Sequence, residues 1–115
     1  MTEQTSINFN YNYKIYISGK ISGEKMHHAS MKFGKAKKQV EDLGYQVIHP
    51  LEILDNYKCR WEQAAEQCKA QLKNCDGIYF LPDYTEDSIP QYELYYAKDN
   101  NIKVYKQLND IPKLN

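Results

Sequence analysis

Residues 74–83 read Asn-Cys-Asp-Gly-Ile-Tyr-Phe-Leu-Pro-Asp, and this stretch decides the fold class. Its centre, Gly77 to Leu81, is a continuous apolar run rich in β-branched and aromatic side chains, stopped by Pro82, which reads as a buried strand. Upstream, Trp61, Ala64, Ala65, Cys68 and Leu72 recur at helical spacing, and Asn74 can close that helix before Asp76. Downstream, 83–88 (Asp-Tyr-Thr-Glu-Asp-Ser) is a polar loop. Pro90 then suits the first turn of a further helix, where its missing N–H would be unpaired anyway, and that helix runs to about Asp99.

Further outward the same alternation continues. Residues 45–49 (Tyr-Gln-Val-Ile-His) end at Pro50, which pushes its predecessor out of helical space, so they predict a strand. Residues 51–60 are a connector with room for a helical turn. In 25–43 the apolar positions Met26, Ala29, Phe33, Ala36, Val40 and Leu43 return every three or four residues, and Gly44 supplies the stop. Residues 14–18 (Lys-Ile-Tyr-Ile-Ser) form a first strand ahead of Gly19, and 102–106 a fourth after the break at Asn100 and Asn101. A βαβαβαβ order without hairpin signals predicts a parallel sheet covered by helices, with ligands at the carboxyl ends of the strands. Functional positions should therefore follow the first and third strands.

The length of 115 residues allows one domain, expected at 13–107, between a polar tail at 1–12 and a tail or final turn at 108–115. No stretch approaches the roughly 20 apolar residues of a membrane span. Fifteen Lys plus Arg balance fifteen Asp plus Glu, so the overall field favours neither a nucleic acid nor a membrane surface. Lys32, Lys35, Lys37 and Lys38 are the one local basic cluster, and at helical spacing they read as the solvated face of an amphipathic helix. Three cysteines, with no signal peptide and no metal-binding spacing, fit a reducing cytoplasm, and no metal or cofactor is expected.

Two constellations could carry chemistry. After the first strand, Ser18, Gly19, Lys20, Ile21, Ser22 and Gly23 put two glycines, hydroxyls and a lysine at a helix entrance, where amides and the positive helix end favour an anion. The loop is neither a dinucleotide fingerprint nor a P-loop, and a tight turn that needs glycine explains the same residues. After the third strand, Tyr92-Glu93-Leu94 lie in the first turns of the following helix, where a carboxylate would project into a cleft beside Gly19. A glutamate near a helix N-terminus is also favoured simply by the dipole. His49, ending the second strand, reads either as a pocket residue or as a strand end satisfied by backbone, and His27 and His28 as a solvated pair or as helpers of phosphate binding.

Taken together, 14–23, 74–83 and 92–97 (Tyr-Glu-Leu-Tyr-Tyr-Ala), in this order and at these separations, resemble the nucleoside 2-deoxyribosyltransferase superfamily, which includes 2'-deoxynucleoside 5'-monophosphate N-hydrolases and many small bacterial and phage relatives. The resemblance covers about residues 14–106. It implies a Rossmann-like or flavodoxin-like three-layer α/β sandwich with a parallel sheet of four or five strands. It gives Glu93 the role of nucleophile at the anomeric carbon and Tyr16 that of its orienting partner, and it makes Gly19 to Gly23 similar to a phosphate-binding loop, with Lys20 and Ser22 as donors. Asp83, Asp87, Ser88 and His49 are the further substrate-binding candidates. Transfer and hydrolysis both follow from such a nucleophile.

The chain also departs from the pattern. Cys68 stands where the superfamily usually has an aspartate eight residues before the position of Asp76, and a thiol with a pKa of about 8.5 replaces a carboxylic acid poorly. Cys68 also falls on the apolar face of its helix, as core packing would place it. Ile89, followed by Pro90, stands where a glycine is usual four residues before the nucleophile, which narrows that part of the pocket. The expectation is an N-glycosidase or deoxyribosyltransferase acting on a nucleoside or nucleoside 5'-monophosphate, or a module that keeps the pocket and only binds. A tyrosine-rich third long helix (Tyr92, Tyr95, Tyr96) is expected to support a homodimer or homotetramer.

Overall fold

The computed structural model describes residues 13–21, 23–53 and 61–113. Four strands, β1 (Lys14–Ser18), β2 (Gln46–Ile48), β3 (Gly77–Phe80) and β4 (Lys103–Tyr105), form one sheet in the order β2-β1-β3-β4, and every neighbouring pair is parallel. The helices are α1 (Met26–Glu41), the short α2 (Pro50–Ile53), α3 (Trp61–Leu72) and α4 (Ser88–Asp99), with 3-10 turns at Pro82–Glu86 and Leu108–Asp110. The α/β class and the parallel sheet are those expected, with four strands.

Strand alternation sorts the two faces of the sheet. Ile15 and Ile17 of β1, with Tyr79 and Leu81, meet Ala29, Phe33, Ala36 and Val40 of α1. Tyr16, Ile78 and Phe80 point the other way, into Cys68 and Leu72 of α3 and Ala97 of α4. Three layers follow, with β1 and β3 covered on both sides. This is why their sequences are nearly unbroken apolar runs.

The chain leaves β1 for β2 on one side and returns to place β3 on the other, so the strand order reverses between β1 and β3. A crevice at the carboxyl ends of two such strands is where doubly wound sheets bind ligands. Their ends approach closely here. A Cβ at Gly19 would lie 2.9 Å from Leu81 Cδ1 and 3.2 Å from Asp83 Oδ1, so any larger residue there would press on both side chains.

Boundaries differ from expectation by a residue or two. Pro90 does lie in the first turn of α4, whose N-cap is Asp87, its side chain accepting from the Ile89 amide at 3.3 Å. The helical turn foreseen in the connector is α2, while the rest of that connector, 54–60, lies outside the described residues. No helix among the described residues is long and apolar enough to cross a membrane.

Candidate active site

Glu93 sits on the core face of α4, in the buried stripe with Ile89, Pro90 and Ala97. Only 1% of its surface is exposed. A buried carboxylate must be hydrogen-bonded, and both oxygens are: the Tyr16 phenol donates to Oε2 and the Ser18 hydroxyl to Oε1, each at 2.6 Å. Tyr16 and Ser18 are alternate residues of β1, so the strand's two-residue period brings both onto the side where α4 packs.

The electrostatics are set by opposing forces. Burial pushes the Glu93 carboxyl up to about 7, the hydrogen bonds from Ser18 and Tyr16 pull it back, and the nearby charge of Asp87 adds to the rise. Tyr16 is pushed well above the ordinary phenol value, first by its burial, then by Glu93, with Cys68 also contributing. The phenol therefore stays a donor. Cys68 is fully buried beside it, consistent with packing rather than with an exposed acid.

The Gly19–Gly23 loop is occupied differently from expectation. The Lys20 amide donates to Asp83 Oδ1 at 3.0 Å and the Ile21 amide to Asp87 Oδ2 at 2.7 Å. Lys20 Nζ lies 3.6 Å from Glu86. Gly23 is exposed with φ +77°, a left-handed turn position, and Ser22 lies outside the described residues. Amides expected to meet a ligand anion are held by the chain's own carboxylates.

Beside Gly19, where a cleft is expected, a Cβ would meet Leu81 and Asp83, and Glu93 meets almost no solvent. An open groove of about 270 Å³, lined by Tyr84, Thr85, Gln91, Leu94, Tyr95 and Lys98, lies along α4 away from its core face and does not include Glu93. Tyr95 there is 72% exposed.

Other expected residues are placed as follows. Ser18, among the substrate-binding candidates, donates to Glu93. Ser88 is exposed at the start of α4. His49 lies on the α1 side of the sheet, its ring 5.5 Å from that of Phe33, and its amide donates to Glu52 Oε2 at 3.0 Å. Its Nδ1 is buried without a hydrogen-bond partner, and burial lowers its pKa, which Lys37 lowers further while Glu52 opposes. None of its hydrogen bonds reaches Glu93. His27 and His28 have ring centroids 4.1 Å apart with the planes tilted by 56°, and both are exposed.

Lys32 is the residue the sequence reading missed. It does not belong to a solvated face: its ammonium donates to Lys20 O at 2.8 Å, to Asp83 Oδ2 at 2.8 Å and to Glu24 Oε1 at 3.2 Å. Lys35 and Lys38 are exposed as expected, and Lys37 pairs with Glu52. The signal was present, because Ala29, Lys32, Phe33 and Ala36 follow the i, i+3, i+4, i+7 spacing of one helix stripe. Among the described residues no group of three or more His, Cys, Asp and Glu is arranged to hold a metal ion.

Comparison with known proteins adds three findings. A family model described as "Domain of unknown function (DUF4406)" matches residues 13–106. No curated protein matches the sequence. Among solved structures, the 2-deoxyribosyltransferase of the psychrotolerant bacterium Bacillus psychrosaccharolyticus is similar at a TM-score of 0.60, covering 89% of this chain and 92% of its own, with 19% identity. The fold is thus 2-deoxyribosyltransferase-like.

Proposed function

The chain belongs to the DUF4406 family, and on that footing we propose that it cleaves the N-glycosidic bond of a nucleoside or nucleotide, with Glu93 as nucleophile. The observation that carries the reading is the Glu93 carboxylate itself, buried at the carboxyl end of β1 with each oxygen held by a hydroxyl at 2.6 Å. An unused buried carboxylate is expensive, and a fold keeps one where its reactivity is needed.

In this reading one Glu93 oxygen attacks the anomeric carbon as the bond to the base nitrogen breaks, its electron pair leaving with the base. Tyr16 and Ser18 fix the attacking group through their hydrogen bonds. A carboxyl of the 83–87 segment or a water protonates the departing base. Water then cleaves the glycosyl-enzyme for hydrolysis, whereas a second base completes a transfer. Incubation with a panel of ribo- and deoxynucleosides and their 5'-monophosphates, followed by chromatography of free base, tests the proposal; release that is absent, or undiminished in Glu93→Ala, refutes it.

A second reading, a module that binds such ligands without turnover, draws on the sealed carboxylate and on Cys68 in place of an acid. Calorimetric binding without base release would select it. Self-association as a homodimer or homotetramer belongs to either reading, and light scattering at micromolar concentration should exceed the 13.6 kDa of one chain.

A further inference from the structure

We propose that Asp83 occupies, from within the chain, the place of a substrate phosphate on the loop after β1, so that the site takes uncharged nucleosides and rejects their 5'-monophosphates. This rests on the nucleoside reading above and narrows it to one substrate class.

The argument starts from the donors. A phosphate is held by backbone amides and an ammonium converging on one point. The loop has that set, in the Lys20 amide and the Lys32 ammonium, but both converge on the two oxygens of Asp83, at 3.0 Å on Oδ1 and 2.8 Å on Oδ2. The next amide along, from Ile21, is taken by Asp87 at 2.7 Å. An anion arriving here finds no free donor among these three. It would have to eject a carboxylate from each.

Charge points the same way. Among the described residues around the loop, Asp83, Asp87, Glu86 and Glu24 face Lys20 and Lys32, so carboxylates outnumber ammonium groups two to one. Lys32 is committed three ways, to Lys20 O, Glu24 and Asp83, and its side chain is only 23% exposed. A phosphate dianion would meet these four carboxylates against two ammonium groups. A nucleoside hydroxyl carries no charge and can donate to the same carboxylates. The occupied loop therefore suits a hydroxyl terminus and opposes a phosphorylated one.

Titration calorimetry with 2'-deoxyadenosine, its 5'-monophosphate and inorganic phosphate, on the wild-type chain and on Asp83→Asn, tests this. The nucleoside should bind wild type at least tenfold more tightly than the monophosphate, and inorganic phosphate should gain at least tenfold in affinity for Asp83→Asn. Monophosphate binding as tight as nucleoside binding in the wild type overturns the proposal, and this arm needs no variant to fold. A folded Asp83→Asn with no gain for phosphate overturns the role of Asp83. Should neither nucleoside nor nucleotide bind while Asp83→Asn still gains phosphate, the nucleoside reading falls and the internal occupancy stands.

Discussion

The Tyr16 phenol donates to Glu93 Oε2 at 2.6 Å across 77 residues of sequence, joining the middle of the first strand to the second turn of the last long helix. The bond favours the ionised carboxylate, and burial opposes it more strongly, leaving Glu93 near 7. A nucleophilic carboxylate must be ionised.

Activity should therefore rise with pH through about 7 and level off above it. Tyr16→Phe removes one donor to the anion, so its acid limb should move to higher pH. Hydrogen bonds to charged groups contribute about 1.5–3 kcal/mol, which corresponds to at least a tenfold loss in kcat/KM at pH 7. A pH profile unmoved by Tyr16→Phe would count against Glu93 as the titrating group.

Stability should show the opposite slope. The folded-state pKa of Glu93 is raised from 4.5 to about 7, so between those values the folded chain binds more protons than the unfolded one. The contribution of this group is most favourable below 4.5, falls as pH rises through 7, and is constant beyond. At about 1.4 kcal/mol per pH unit the loss is on the order of 3 kcal/mol. Urea unfolding should find Glu93→Gln more stable than wild type at pH 8, with a smaller difference at pH 5.

Lys32→Met should destabilise the fold by about 1–3 kcal/mol, because Asp83 and the Lys20 carbonyl each lose a partly buried donor. Lys35→Ala, on the exposed side of the same helix, should stay within about 0.5 kcal/mol of wild type. Thermal unfolding of the two variants measures the difference.

Cys68→Asp should cost more than about 2 kcal/mol, since it buries a further acid beside Tyr16, whose phenol already donates to Glu93. Cys68 is fully buried, and burial pushes the Cys75 thiol up to about 11. Peptide mapping after a thiol reagent at pH 8 should find both unmodified in the native chain and modified in urea.

Much of the architecture was legible because it rests on periodicity. The apolar run at Gly77 to Leu81, the stripe from Ala29 to Val40 and the proline stops at Pro50 and Pro82 each act locally, and each element lies within two residues of its expected bounds. The pairing of Tyr16 with Glu93 was legible only through resemblance, since nothing in spacing links positions so far apart. What the sequence hid was competition for the loop after β1. Asp83 and Asp87 read as loop acids, and their capture of the Lys20 and Ile21 amides depends on how the ends of two strands meet. Lys32 was obscured by its company, three neighbouring lysines that do face solvent or a surface partner.

The strand order has a consequence for biogenesis. Tyr16 and Ser18 leave the ribosome early and Glu93 late, and β1 stays without its central neighbour β3 until most of the chain exists. No nascent fragment ending before α4 can hold the constellation. Two separately expressed halves, divided within the connector 54–60, should each be inert and recover function only on reassociation.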